Sequence, residues 1–134
     1  MVCIHCSGKT QVVNSRSQLR VNSIWRRRKC LSCGIIFSTR EEADCSSIWS
    51  VKDRTGQLEP FERDKLFLSL HKSCQHRISA VTDASGLTQS IIMKLNNYAE
   101  NGIINAQAII QVSQVALSRF DKASSVHYQA FHQK

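Results

Sequence analysis

No apolar run in this chain of 134 residues approaches the roughly 18–20 needed for a membrane-spanning helix, so a membrane is excluded as a partner. The N-terminus reaches Cys3 and Cys6 at once and lacks the apolar stretch that opens a signal peptide, so the expected location is the cytoplasm. Also missing are a Walker-type phosphate loop, an H-E-x2-H pair and a G-x-S-x-G elbow, so nothing points to an enzyme. There is no internal repeat and no low-complexity tract. Hydrophobic residues at 42% and charged residues at 21% exclude wholesale disorder.

The most informative absence is local. Residues 1–40 contain no aspartate or glutamate, yet hold Lys9, Arg16, Arg20, Arg26, Arg27, Arg28, Lys29 and Arg40. The formal net charge of +8 therefore sits entirely in this segment, and residues 41–134 balance to zero. Such asymmetry is expected when one module meets a polyanion and the other does something else.

What is present in that segment is cysteine. Cys3-x2-Cys6 and Cys30-x2-Cys33 are separated by 23 residues. Two C-x2-C pairs can form two tight knuckles whose sulfurs enclose one tetrahedral zinc ion. Gly8 and Gly34 follow the pairs where relaxed backbone geometry is useful. A thioredoxin-like motif would need a βαβ context that is missing, whereas an iron–sulfur cluster also takes four cysteines. Four thiolates leave no open position for water, so the metal is structural, and His5 reads as a loop side chain. Four thiolates and a dication leave the segment basic, near +6 by charge counting. Cys74 continues an apolar helical stripe, and Cys45 reads as a linker thiol.

Short strands are expected at 11–13, 21–24 and 35–37. Glu41 to Ser47 is polar, and a linker is placed at 43–47. Ile48 to Val51 reads as a strand, Thr55-Gly56 as a turn, and a helix begins after Pro60 with the stripe Leu66, Leu70, Cys74. Ala84, Leu87, Ile91, Leu95 and Tyr98 give a second stripe ending near Gly102. Asn105 can cap a third helix with Ile109, Val112, Ala116 and Phe120, and a fourth spans 124–131.

Trp25-Arg26-Arg27-Arg28-Lys29 precedes the second knuckle, and Asn14-Ser15-Arg16 can lie on a neighbouring strand. Arginine suits phosphate and guanine, and asparagine suits adenine. Extended backbone would turn Arg26 and Arg28 one way and Arg27 and Lys29 the other. Trp25 can also stack on an unpaired base.

These motifs, continued by Phe37-Ser38-Thr39-Arg40-Glu41, resemble the zinc ribbon of the NrdR family, bacterial repressors of ribonucleotide reductase genes. Val51-Lys52 and Glu59-Pro60-Phe61-Glu62-Arg63-Asp64-Lys65-Leu66 resemble the opening of the ATP-cone that follows the ribbon there. Asn14 stands where the family has aspartate, and Trp25 where it has the first of four arginines. The resemblance implies an α+β chain: a zinc ribbon at 1–42 binding nucleic acid, and an ATP-cone at 48–134, a short β-cap on a four-helix bundle. It implies a non-enzymatic, nucleoid-associated repressor that binds double-stranded operator DNA, carries one structural zinc and forms homo-oligomers controlled by ATP or dATP. By motif match the metal ligands are Cys3, Cys6, Cys30 and Cys33, and the DNA contacts Asn14, Ser15, Arg16, Arg26, Arg27 and Arg28. Lys52, Arg54, Glu59 and Lys65 would meet the nucleotide. The alternative is an RNA or single-strand binder with a structural helical assembly domain.

Overall fold

Runs that alternate polar and β-branched residues on either side of a left-handed asparagine build the first sheet. The computed structural model describes residues 1–133; Lys134, the last residue of the expected 48–134 domain, lies outside the described residues. The chain forms two compact units, residues 1–43 and residues from Asp44 onward.

In the first unit, β1 (Thr10–Gln18), β2 (Ser23–Cys30) and β3 (Ile36–Glu42) form an antiparallel sheet in the order β1-β2-β3. The strands are longer than the expected three- or four-residue runs. Backbone pairing carries them through Asn14-Ser15-Arg16 and Arg26-Arg27-Arg28, which propensity alone does not mark as strand. Val21, expected in the second strand, instead ends a 3-10 turn over Leu19–Val21. Asn22 follows at φ 47°, a left-handed conformation that asparagine tolerates. Of residues 1–43 only Cys3, Ser23 and Cys30 are buried, so this sheet has no apolar core.

The second unit opens with a 3-10 turn at Cys45–Ser47, capped by Asp44, inside the stretch expected to be a plain linker. Ile48 closes that turn and is not strand. A second sheet follows in the order β5-β4-β6, made of β4 (Ser50–Lys52), β5 (Leu58–Pro60) and β6 (Ile103–Asn105). β4 and β5 are antiparallel, and β4 and β6 are parallel. The sequence gives no sign of β6, whose pairing needs a partner about fifty residues away. Gly102 makes it possible: its φ is +75°, its carbonyl accepts from Ser50 N at 2.8 Å, and a Cβ there would lie 2.7 Å from Ile48 O.

Four helices follow the expected pattern: α1 (Arg63–Cys74), α2 (Ala80–Leu95), α3 (Ala106–Phe120) and α4 (Lys122–His132). α1 and α3 each pack on both α2 and α4, closing a four-helix bundle. Leu66, Leu70 and Cys74 on α1, Ala84, Ile91 and Leu95 on α2, and Val112, Ala116 and Leu117 on α3 are buried with Ile104 and Tyr128. Trp49 and Phe61 meet edge to face at 5.6 Å where the small sheet joins this core. Tyr98 falls beyond α2 in a 3-10 turn and is exposed, so the second stripe stops at Leu95. Asn105 makes no capping bond, whereas Asp121 caps α4 by accepting from Ser124 N at 2.9 Å.

Candidate metal centre and nucleic-acid interface

The two knuckles are built alike. Ser7 N donates to Cys3 O at 3.0 Å, and Gly34 N donates to Cys30 O at 3.2 Å. Both donors sit four residues after a cysteine, and both have positive φ, 58° and 74°. At the first knuckle the left-handed residue is thus Ser7 rather than Gly8. Gly8 is needed for space, since a Cβ there would lie 2.6 Å from Ser32 Oγ and 3.2 Å from Cys6 Sγ.

These turns bring the sulfurs of Cys3, Cys6, Cys30 and Cys33 within 4.8 Å of one another. Cys3–Cys33 and Cys6–Cys30 are 3.7 and 3.5 Å apart. Tetrahedral geometry with metal–sulfur bonds of about 2.3 Å requires edges of about 3.8 Å, so the donor set fits a single zinc-sized ion. A cluster, with several metal and sulfide atoms inside, needs a wider ring. The N–H groups of Cys33 and Ser32 point at Cys30 Sγ and lower that thiol to about 6. Cys33 receives the Ile35 N–H, but desolvation and the sulfurs of Cys6, Cys30 and Cys3 push it up to about 12. Without an ion the site resists holding several thiolates together; a dication removes that repulsion. His5 is exposed and lies outside the sulfur group.

The register of the ribbon sheet sorts the six expected DNA contacts. Asn14 pairs with Arg27, Ser15 with Arg26, and Arg16 with Trp25. Directly paired residues share a face. One face therefore carries Asn14, Arg16 and Arg27 with Trp25 and Lys29, and the other carries Ser15, Arg26 and Arg28. Across β3, Arg40 pairs with Trp25 and Ser38 with Arg27. Arg26 is ion-paired to Glu41, and Arg28 Nε donates to Thr39 Oγ1 at 3.2 Å. Arg16 lies over the Trp25 ring at 5.9 Å. Arg40 and Trp25 thus belong to the same surface as three of the six expected contacts, which only the strand register reveals.

In the second unit, Lys65 Nζ is 2.7 Å from Glu59 Oε1, and this bond raises the Lys65 pKa. Both residues line a cleft of about 290 Å³, with Val51, Phe61, Ile109 and Tyr128 among its walls. Val51, Glu59 and Ile104 share one face of the small sheet, and Lys52 pairs with Leu58 and Asn105 on the other. Glu59 and Lys65 are thus brought together, and Lys52 is not among the cleft residues. Arg54 lies in the β4–β5 turn, outside the cleft. Asp53 orders that turn by accepting from Thr55 Oγ1 at 2.7 Å, Thr55 N at 2.8 Å and Gln57 N at 2.9 Å, and these bonds, the hydroxyl's first, lower its pKa. The α3 and α4 walls were not expected from sequence; the side-by-side apolar pair Ile109-Ile110 is the one local hint of a face wider than a core stripe.

The chain joins a basic, cysteine-knuckled ribbon to a helical bundle that carries a small sheet, and comparison with known proteins gives the class as transcriptional regulator. Residues 1–41 match the family described as "Transcriptional repressor NrdR-like, N-terminal domain". The chain is 32% identical over 127 residues to the transcriptional repressor NrdR of Symbiobacterium thermophilum, covering 90% of this chain and 84% of the relative. The NrdR of Tropheryma whipplei is 34% identical over 128 residues, with coverage of 90% and 84%. That of Leifsonia xyli subsp. xyli is 34% identical over 139 residues, with coverage of 98% and 83%. The chain belongs to the NrdR family of transcriptional repressors, and these relatives are named as regulators rather than enzymes.

Proposed function

We propose that this chain represses ribonucleotide reductase genes by binding their operator DNA through a ribbon held by one structural zinc. Residues 1–42 are the DNA-binding module, 43–47 the linker, and 48–134 an ATP-cone. Cys3, Cys6, Cys30 and Cys33 hold the zinc. The observation that carries the reading is the concentration of cation on a sheet without an apolar core. Asn14, Ser15, Arg16, Arg26, Arg27 and Arg28 belong to that sheet, and phosphate neutralisation supplies its affinity.

ATP or dATP is the effector, bound by Glu59 and Lys65 at the mouth of the apolar cleft, with Lys52 and Arg54 from the β4–β5 hairpin. The Glu59–Lys65 bond is exposed and weak, so a phosphate competes readily for Lys65. The sequence carries no Walker-type phosphate loop, and in this reading the nucleotide is sensed and not hydrolysed. An effector shifts assembly only by binding one oligomeric state better than another. Calorimetry with ATP and dATP, paired with native mass spectrometry, tests this. Lys52→Ala with Lys65→Ala should weaken nucleotide binding and abolish the nucleotide-dependent change in oligomer size. Absence of binding by the parent at millimolar nucleotide would reject nucleotide control.

A further inference from the structure

We infer that one face of the ribbon sheet meets nucleic acid, the face of Asn14, Arg16, Trp25, Arg27, Lys29 and Arg40, and that Trp25 is its base-contacting residue. The inference rests on the DNA-binding reading above and refines it.

The two faces differ in how far their cations are already satisfied. On the Ser15 face, Arg26 is ion-paired to Glu41 and Arg28 is hydrogen-bonded to Thr39. A phosphate there must displace a carboxylate or face its repulsion. On the Trp25 face, Arg16, Arg27 and Lys29 make no ion pair among the described residues, and only Arg40 has a carboxylate near, Glu42 at 3.6 Å. The excess positive charge of the ribbon is therefore concentrated on the Trp25 side.

The pairing also sets out rows across the sheet. Arg16, Trp25 and Arg40 form one row, and Asn14, Arg27 and Ser38 the next. Neighbouring strands are about 4.8 Å apart, so β1 and β3 are about 10 Å apart. The major groove of B-DNA is about 12 Å wide. With β2 centred over the groove, Arg16 and Arg40 reach its two phosphate walls while Trp25 and Arg27 face base edges. Arginine reads guanine there, and an indole offers an apolar surface to a thymine methyl. Arg16, lying over the indole, limits its rotation. An arginine at this position would offer a contact suited to guanine, whereas Trp25 offers one suited to thymine.

The test uses the zinc-loaded full chain and a random-sequence DNA duplex, with affinity measured over a range of salt. Arg16→Ala with Arg40→Ala should lower the salt slope by about two units, one per phosphate contact. Arg26→Ala with Arg28→Ala should lower the slope by clearly less than the Arg16/Arg40 pair does; the reverse order overturns the inference. A second measurement does not depend on how those variants fold. Trp49 is buried, so a duplex-induced change in tryptophan emission should arise at Trp25 and vanish in Trp25→Phe. Unchanged emission at saturating duplex overturns the inference while leaving the DNA-binding reading intact. Selection from a randomised duplex pool should give a thymine preference that Trp25→Arg converts to guanine. A parent chain that ignores duplex at low salt, or prefers a single strand of the same sequence, rejects the DNA-binding reading itself.

Discussion

Residues 1–43 and the unit that follows are stable for opposite reasons. The ribbon buries two cysteines and one serine, and its sheet exposes side chains on both faces. Among the described residues, the helical unit buries fourteen apolar side chains in one cluster, seven of them fully. Burial of apolar area at roughly 25 cal/mol per Å² accounts for the second unit and is nearly absent from the first. In the ribbon, four converging sulfurs must supply through a metal what a core supplies elsewhere. A surface without a core is also free to carry charge on both faces, which suits a polyanion. The two units should therefore fail under different insults.

Metal removal should separate them most sharply. A strong chelator, or Cys30→Ser, should abolish ribbon structure and duplex binding while the helical circular dichroism and its melting transition persist. Loss of both units together would show that the bundle depends on the ribbon. The converse experiment is Leu70→Ala, which opens a cavity at a fully buried position. It should cost the helical unit about 2–5 kcal/mol, read by denaturant unfolding, and leave zinc content unchanged. Gly102→Ala should cost about 1–2 kcal/mol in the same unit, because it imposes a side chain on a left-handed residue 2.7 Å from a carbonyl.

Acid gives a finer separation. Asp121 is held at about 2 by the Ser124 hydroxyl and N–H and by His76. A carboxylate depressed in the folded state contributes stability that is complete above its ordinary value near 4 and is lost as pH falls through about 2. Asp121→Asn should flatten the pH dependence of helical-unit stability across that window, measured by thermal melts in stepped buffers. Smallest of all, Glu59→Gln breaks an exposed ion pair and should change stability by less than about 1 kcal/mol. An altered nucleotide isotherm in that variant would sharpen the functional reading of the cleft.

The zinc-ribbon motif was legible because spacing is a local property. Two C-x2-C pairs make knuckles wherever they fall, and an acid-free stretch is basic in any fold. The helices were legible because apolar residues such as Leu66, Leu70 and Cys74 recur at the helical period. Tertiary structure decided what depends on partners distant in sequence. β6 exists because Gly102 brings its strand beside β4. The left-handed residue of the first knuckle is Ser7, whereas Gly8 leaves the space that a Cβ would take up against Ser32 Oγ, a neighbour distant in sequence. Arg26 and Arg27 are neighbours in sequence, yet pairing with β3 gives one to Glu41 and leaves the other without an ion pair among the described residues. Sequence determined how much charge and how many sulfurs the ribbon carries. Register, set by backbone hydrogen bonds between strands, decided which face that charge occupies, because a shift of one residue would exchange the two faces.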